Sequence, residues 1–328
     1  MEQVLADVIK KTLTNEQANF KHWEHALKTI TKKEMVLQHL LATMQQEAAA
    51  TTFLYVVDIE ERKFVIYRLE GANHPQFVTE FVSNRLDAPA RILNYKHILY
   101  VTDILQNRIH LYDLSHPLDP AWLGSFMSEQ LNGPSQIVIV RGYLYVACFN
   151  SGTFEIFSLK NPFRPVHVHS FFDAQLDSPA GIASKGNRLY LVNVSSHTLV
   201  IYDSKNPTMP KWRQTIRDAS LQRPFALAIL ADALYVANEG NHTFSIFSIK
   251  HQQPRFIRAV NGSHLAVPND LLVYENTLYV SNFSGSSLTI YDVTNPFEPH
   301  YIMTINEHFK RPVGIAVYED GTEVYGAK

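Results

Sequence analysis

The chain has 328 residues, of which 46% are hydrophobic and 18% are charged, a composition typical of globular proteins and not of disordered ones. Its 29 basic and 31 acidic side chains give a formal charge of -2, which excludes the strongly basic field that holds nucleic acid or an anionic membrane. The single cysteine, Cys148, excludes an internal disulfide and a cysteine-rich zinc site.

The N-terminus lacks the pattern of an export signal. Glu2 and Asp7 interrupt it, and no continuous apolar run follows a basic start. Nothing in the sequence resembles an apolar span of about 20 residues. We therefore expect no membrane span and a cytoplasmic location.

Residues 1–50 predict a helical extension. The pairs Thr14 with Gln17 and Thr31 with Glu34 have the spacing of capping boxes, and the stretch contains no glycine or proline. Apolar residues at helical spacing are Val4, Leu5, Val8 and Ile9, then Phe20, Trp23, Leu27 and Ile30, then Leu37, Leu40, Leu41 and Met44. This extension either caps the domain that follows or forms a separate interaction element.

From Thr51 onward, two phrases recur at an almost constant period. Tyrosines follow a leucine at spacings of 45, 45, 45, 45 and 44. These residues are Tyr55, Tyr100, Tyr145, Tyr190, Tyr235 and Tyr279. A second series consists of Pro89, Pro134, Pro179, Pro224, Pro268 and Pro312. A period in the forties with strand-type content is typical of the blades of a β-propeller.

Each repeat reads as four short strands. In the unit that begins at Ser178, the predicted strands are 179–183, 189–192, 199–202 and a segment ending at Ile216. The prolines of the segment 206–210 fix the turn before the fourth strand, because proline presets φ and lacks an N–H donor.

The repeat count predicts an all-β, six-bladed propeller over residues 51–328. Five units are complete, and the sixth is split between the chain ends. Residues 53–81 supply its second to fourth strands, and residues 312–317 supply its first strand. Joining the two segments closes the ring and removes exposed sheet edges. A strand-like segment around Tyr325 does not fit this scheme.

Three stretches resemble the LVIVD repeat, whose hallmark is an apolar strand ending in Asp and followed by Asn-Pro-x-x-Pro. They are Ile109–Pro117, Leu199–Pro207 and Leu288–Pro296. The unit from Pro179 also resembles the NHL repeat. The stretch from Phe244 departs from the motif, with Ser248 for Asp, His251 for Asn and Gln252 for the first proline. Both resemblances imply a propeller. Such propellers mostly serve as binding platforms, although a few related six-bladed rings are enzymes.

The antiparallel connection predicts a polar ring at one mouth of the central channel. The first strand of a blade starts, and the second ends, at the same rim. First-strand positions two after each proline are Arg91, Gln136, Gly181, Ala226, Asp270 and Gly314. Second-strand ends are Asp58, Asp103, Cys148, Asn193, Asn238 and Asn282. The candidate binding residues at this mouth are Arg91, Asp103, Gln136, Asn193, Asn238, Asn269, Asp270 and Asn282.

The two sets have different interpretations. A repeated Asp or Asn at a strand end is usually a turn device, because its side chain caps loop backbone. Arg91, Gln136 and Asp270 do not repeat, which favours a ligand contact. A salt bridge between Arg91 and Asp270 across the channel explains them equally well.

A calcium site is the sharper alternative. Oxygen atoms of Asp270, Asn238 and Asn282 would suit calcium, and six-bladed gluconolactonase-type hydrolases look like this in outline. Against it, Arg91 would repel a cation. His197 and His242 hold equivalent loop positions and could ligate zinc, but repeat ancestry explains them better.

We therefore expect a non-enzymatic binding scaffold that uses the channel-mouth face for a protein or peptide partner, without cofactor and without nucleic acid. Phe149, Phe225 and Phe283 near the mouth support it, because aromatic residues favour interfaces. The alternative is a calcium-dependent hydrolase or lactonase of the six-bladed propeller type.

Overall fold

The computed structural model describes residues 6, 7, 10, 11 and 51–320. The chain divides into two units, Met1–Ala50 and Thr51–Lys328. The four described residues of the first unit are helical. The rest of the predicted helical extension and the segment around Tyr325 lie outside the described residues, so both stay predictions. No described helix is long and apolar enough to cross a membrane.

Residues 51–320 form six antiparallel sheets of four strands each. Blade 1 contains β1 (Thr52–Asp58), β2 (Lys63–Leu69), β3 (Pro75–Val82) and β24 (Pro312–Glu319); blade 2 contains β4 (Pro89–Tyr95), β5 (Ile98–Asp103), β6 (Arg108–Asp113) and β7 (Ala121–Phe126); blade 3 contains β8 (Pro134–Val140), β9 (Tyr143–Cys148), β10 (Thr153–Ser158) and β11 (Val166–Phe171). Blade 4 contains β12 (Pro179–Lys185), β13 (Arg188–Asn193), β14 (Thr198–Asp203) and β15 (Lys211–Arg217); blade 5 contains β16 (Pro224–Leu230), β17 (Ala233–Asn238), a 3-10 turn (Glu239–Asn241), β18 (Thr243–Ser248) and β19 (Arg255–Val260); blade 6 contains β20 (Pro268–Tyr274), β21 (Thr277–Asn282), β22 (Ser287–Asp292) and β23 (His300–Ile305).

The proline-led strand of every blade contacts the proline-led strands of both neighbouring blades, from β4 through β8, β12, β16 and β20 to β24 and back to β4. These six inner strands therefore surround a central channel. The prediction of six four-stranded blades, each first strand starting at its proline, is confirmed.

The two ends of the described propeller meet in blade 1. β24 pairs antiparallel with β1, with Phe53 opposite Tyr318 and Tyr55 opposite Ala316. The predicted ring closure is thus confirmed. It leaves no blade with an unpaired inner strand, which is how a propeller limits its exposed edges.

Six hydrophobic cores hold the ring, and each lies between two neighbouring blades. Between blades 1 and 2, for example, Phe64 and Ile66 of β2 pack with Leu99 and Val101 of β5, all fully buried. Burying each such apolar side chain contributes about 1.5–3 kcal/mol. Packing between blades, and not within one sheet, therefore stabilises the ring.

The tyrosines of the first periodic series make a recurring contact between blades. The hydroxyl of the second-strand tyrosine donates to a backbone carbonyl in the loop before the fourth strand of the next blade. The pairs are Tyr55 with Pro117 (2.7 Å), Tyr100 with Pro162 (2.6 Å), Tyr235 with Pro296 (2.7 Å), Tyr145 with Pro207, and Tyr279 with Ala72. We call this contact the tyrosine latch. The tyrosine of blade 4, Tyr190, interacts with Arg188 instead. The equivalent acceptor position in blade 5 is Gln252, where the other repeats have a proline.

Candidate functional site

The register of the sheets places the two predicted residue sets at one rim. Pro179 pairs with Asn193, Pro224 with Asn238, and Pro268 with Asn282. In blades 2 and 3, Pro89 pairs with Asp103 and Pro134 with Cys148. Strand starts and strand ends therefore meet at the same mouth of the channel.

Asp103 and Asn193 cap the loops that lead into their blades. Asp103 Oδ2 accepts from the N–H of Asp87 at 2.7 Å, and its Oδ1 accepts from the N–H of Gln106 at 3.0 Å. Asn193 Oδ1 accepts from the N–H of Asp177 at 3.1 Å. Both side chains are fully buried. Their contacts are those of turn caps.

Asn238 and Asn282 have the same arrangement. Their Oδ1 atoms accept from the backbone N–H of Gln222 and Ala266, each at 3.2 Å. Their amide Nδ2 groups donate to nearby hydroxyls, such as Thr289 Oγ1 at 2.9 Å from Asn282. Cys148 replaces this cap in blade 3, where burial raises the pKa of its thiol to about 12.

Arg91 spans the channel from blade 2 to blade 6. Its Nη2 and Nη1 donate to the backbone oxygen and to Oδ1 of Asn269, at 2.6 Å and 2.8 Å. Its Nε lies 3.5 Å from Asp270 Oδ1. The guanidinium carbon lies 5.2 Å from the ring centroid of Phe225. The Arg91–Asp270 salt bridge that the sequence offered as one interpretation is present.

Asp270 and Gln136 accept hydrogen bonds from inner-strand backbone. Asp270 Oδ1 and Oδ2 accept from the N–H of Leu271 and Ile315, each at 2.9 Å. Gln136 Oε1 accepts from the N–H of Ile182 at 2.9 Å and of Leu227 at 3.0 Å. We call Arg91, Gln136, Asn269 and Asp270 the polar plug. Its side chains and their backbone partners come from all six blades.

Burial dominates the electrostatics of the plug. It raises the pKa of Asp270 to about 6 although Arg91 favours the carboxylate, and it lowers the pKa of Arg91. Glu239, which accepts from Asn269 Nδ2 at 2.9 Å, also has a raised pKa because it is desolvated. Perturbed titratable groups of this kind mark functional sites with some frequency, and structural ion pairs also produce them.

A cavity of about 240 Å³ adjoins the plug inside the channel. All six inner strands contribute to its wall. The residue three positions after each proline is aliphatic, giving a ring of Ile92, Ile137, Ile182, Leu227, Leu271 and Ile315. Each of these residues also belongs to one of the six inter-blade cores. The channel wall is thus apolar and fixed by the cores behind it.

The described residues contain no group of three or more His, Cys, Asp or Glu side chains that could hold a metal ion. Of the predicted calcium set, Asp270, Asn238 and Asn282 all have oxygens that already accept backbone N–H donors. Calcium there would have to share these oxygens with their backbone N–H donors. His197 and His242 each accept a backbone N–H of the next blade on Nδ1 at 2.9 Å, which is a structural role.

Around the plug, the mouth carries apolar side chains that sequence reasoning found only in part. The residues that directly follow the second strands are apolar in five blades, Ile59, Ile104, Phe149, Val194 and Phe283; Val194 is buried and the others are half-buried, and blade 5 has Glu239 at this position. Phe149 and Phe225 lie 6.3 Å apart between ring centroids, and Arg311 lies 5.3 Å from the ring of Phe283. Leu105 is 68% exposed. The sequence could have identified Leu105, because the equivalent loop position is polar or glycine in the other blades.

No protein-family model matches the chain, and no curated protein matches it. Solved structures do resemble it. A propeller in the nidogen/laminin complex has a TM-score of 0.63 at 17% identity, over 81% of this chain and 98% of that chain. A protein from Lactobacillus plantarum has a TM-score of 0.61 at 11% identity, over 82% and 100%. The periplasmic gluconolactonase of Pseudomonas aeruginosa has a TM-score of 0.57 at 14% identity, over 78% and 80%. At these identities the likeness shows the propeller fold alone.

Proposed function

We propose that this protein is a non-enzymatic binding scaffold that takes a protein or peptide partner on the channel-mouth face. One observation carries the proposal. The polar groups at the mouth are engaged in internal hydrogen bonds, while the apolar loop side chains around them stay accessible. A surface of rigid apolar contacts with a satisfied polar centre is suited to adhesion and offers little to catalysis.

Leu105 is the clearest of these contacts. The positions equivalent to it in the other five blades are all exposed, and none is a large apolar residue: they are Glu60, Asn150, Ser195, Gly240 and Ser284. Repeat ancestry therefore does not account for a leucine here. It follows the half-buried Ile104 in the same loop, and the half-buried Phe149 holds the position of Ile104 in the next blade.

The comparisons support this proposal at the level of the fold. The nidogen propeller was solved in a complex with laminin, so the architecture is compatible with a protein partner. The LVIVD-like and NHL-like phrases point the same way, since both belong to propellers that mostly serve as binding platforms.

Panning a displayed random-peptide library against the immobilised protein tests the proposal. We expect peptides that lose binding to Leu105→Lys and keep binding to Asn150→Lys, which places the same charge at the equivalent loop position of blade 3. Selected peptides that ignore both changes would contradict a mouth-face site, and peptides that respond equally to both would contradict Leu105 as its principal contact.

A calcium-dependent hydrolase or lactonase is the second candidate. The likeness to the Pseudomonas gluconolactonase and the buried carboxylate of Asp270 favour it. Our proposal expects no calcium-dependent shift in melting temperature and no hydrolysis of gluconolactone. A saturable calcium-dependent shift in melting temperature that Asp270→Asn abolishes, accompanied by lactone hydrolysis, would favour the hydrolase over the scaffold.

A further inference from the structure

The loops on the face opposite the mouth carry charges that are sorted by blade. In each blade, the turn between the first and second strands and the loop between the third and fourth strands lie on this face, because the strands are antiparallel. We call it the lower face. In blades 3, 4 and 5 its charged residues are nine bases and two acids. They are Arg141, Lys160, Arg164, Lys185, Arg188, Lys205, Lys211, Lys250 and Arg255, with Asp203 and Asp232.

The other three blades carry the opposite charge. In blades 6, 1 and 2 the described lower face has eight acids and one base, which are Glu275, Asp292, Glu298, Glu70, Glu319, Asp320, Asp113 and Asp119, with Lys96. With histidine neutral, the lower face therefore has a basic half of +7 and an acidic half of -7, which the formal charge of -2 conceals. Each half consists of three consecutive blades. At the mouth, by contrast, acids and bases occur together within single loops, as in residues 60–63.

Neither half is neutralised from within. The two acids of the basic half form ion pairs, Asp232 with Lys185 at 2.6 Å and Asp203 with Arg213. Seven other bases remain in that half, and most of them are exposed. In the acidic half, Asp113 and Asp292 accept hydrogen bonds from the N–H groups of their own loops, which leaves their charge in place. The halves therefore present opposite charge to whatever covers this face.

The charge follows the half and not the repeat. One loop position is lysine in all three blades of the basic half, as Lys160, Lys205 and Lys250. In the other three blades the same position is Glu70, Ser115 and Thr294. A neighbouring position is arginine in blade 3, as Arg164, and is acidic in blades 2 and 6, as Asp119 and Glu298. Repetition of a common ancestral blade does not produce such a division.

A face divided in this way is complementary to itself. A two-fold axis along the boundary between the halves places the basic half of one copy on the acidic half of a second copy, and the second copy makes the same contact in return. Blade 4 then faces blade 1, with lower-face charges of +3 and -3. Blade 3 faces blade 2, at +3 and -1, and blade 5 faces blade 6, at +1 and -3. A partner with charge of a single sign would be attracted by one half and repelled by the other.

Exposed apolar side chains lie in the same loops. Leu118 of blade 2 is 41% exposed, and Phe163, at the equivalent position of blade 3, is 57% exposed. The two-fold axis brings these two loops together, so that Leu118 and Asp119 of one protomer meet the loop of Phe163 and Arg164 in its partner. Met209 of blade 4 is 61% exposed. Apolar contacts combined with opposite charges are typical of protein interfaces.

We propose that the lower face binds a second copy of this chain. The product is a two-fold symmetric dimer in which the basic half of each protomer contacts the acidic half of its partner. The two mouths then point away from each other, so the dimer leaves both of them accessible. The contact is independent of the partner surface at the mouth.

Sedimentation velocity of the full chain over a range of concentrations tests the dimer. We expect a monomer–dimer equilibrium whose Kd rises at least ~tenfold between about 0.05 M and about 0.5 M NaCl, because salt screens the opposed charges. A chain that stays monomeric at low salt, or a dimer equally tight at both salt concentrations, overturns the proposal. A monomer whose basic half binds poly-L-glutamate also overturns it, since the occupant is then a foreign acidic chain.

Charge-reversal variants locate the contact. One variant combines Arg164→Glu with Lys205→Glu in the basic half, and the other combines Glu70→Lys with Asp119→Lys on the blades that face them. Each variant alone should dimerise at least ~tenfold more weakly than the wild type, because like charges then oppose each other. An equimolar mixture should form a heterodimer within about threefold of the wild-type affinity. In the mixture one contact regains opposite charges, and the other is unchanged.

A matched control has the same charge reversal outside the lower face. It combines Arg217→Glu, at the mouth end of β15, with Arg258→Glu, in the outer strand β19; both side chains are exposed. We expect this control to dimerise like the wild type, and all variants to keep a native circular dichroism spectrum. A control that weakens the dimer as much as the lower-face variants, or a mixture that forms no heterodimer, contradicts the two-fold contact.

Discussion

Replacing Tyr100 by phenylalanine removes one hydroxyl, and the tyrosine latch predicts what that hydroxyl is worth. The ring of Tyr100 is fully buried, and its hydroxyl donates to Pro162 in the next blade at 2.6 Å. Tyr202, in the third strand of blade 4, is buried to the same extent, but its hydroxyl has no hydrogen-bond partner among the described residues. The same substitution at these two positions is a matched pair.

The two substitutions should change stability in opposite directions. Losing the latch removes about 0.5–1.5 kcal/mol of net hydrogen-bond energy, and the partly buried carbonyl of Pro162 then lacks its donor. At Tyr202 the wild type already bears the desolvation cost of an unpaired hydroxyl, about 1–3 kcal/mol, which phenylalanine relieves. We expect Tyr100→Phe to lower the free energy of unfolding by about 1 kcal/mol and Tyr202→Phe to raise it by about 1 kcal/mol.

Urea denaturation followed by tryptophan fluorescence and by circular dichroism measures both changes, provided that the two probes give one transition. In thermal melts, each change corresponds to a shift of about 2–4 °C for a domain of this size class. Equal destabilisation by both substitutions would show that ring packing, and not the hydroxyl, determines the effect. That result would refute the latch as a stabilising contact.

Three other substitutions follow from the channel and its mouth. Because burial raises the pKa of Asp270 to about 6, the folded state holds this proton more tightly than the unfolded chain does. The free energy of unfolding of the wild type minus that of Asp270→Asn should therefore fall by about 2 kcal/mol as pH rises from about 4 to 6. A flat difference in urea titrations across that range contradicts it. Gly314→Ala should lower the free energy of unfolding, measured from the urea midpoint, by about 1–3 kcal/mol, since the new Cβ would lie 2.9 Å from the Arg91 backbone. An unchanged midpoint would show that β24 and β4 can move apart without cost. Asn282→Ala should cost about 2 kcal/mol by removing a buried cap, while Asn150→Ala, on an exposed side chain, should stay within about 0.5 kcal/mol in the same assay.

The architecture could be predicted from the sequence because every blade of a propeller has the same local structural requirements. Every blade needs a donor-free residue at the start of its inner strand and a large buried residue on its second strand, so proline and tyrosine recur at one period. The missing first strand at Phe53 and the surplus one at Pro312 then require each other. A split blade is visible in sequence as two incomplete copies of one unit.

The latch was within reach of the same reasoning, since Tyr100 and Pro162 belong to two series whose members are 61 or 62 residues apart. The sequence also indicates why the tyrosine of blade 4 lacks the latch, because Gln252 replaces the proline of the next blade. Periodicity also placed Arg91 and Asp270 at equivalent positions of one mouth, which is how the sequence offered their salt bridge. It does not indicate the contact of Arg91 with Asn269, because these two residues are 178 residues apart and hold different repeat positions.

The departures from the repeat distinguish this ring from six identical blades. Residues at recurring positions, such as Asn193 and Asn282, accept hydrogen bonds from their own loops. The channel position does not recur, and only Gln136 and Asp270 place acceptors there. Each of these two side chains binds the N–H groups of two inner strands, and Arg91 joins blade 2 to blade 6 through Asn269 and Asp270. Six nearly identical sheets acquire these contacts at the axis only where the repeat is broken. Leu105 is a departure of the same kind on the loops, and for this reason the unrepeated positions, and not the repeated ones, are where we expect this ring to differ in function from other propellers.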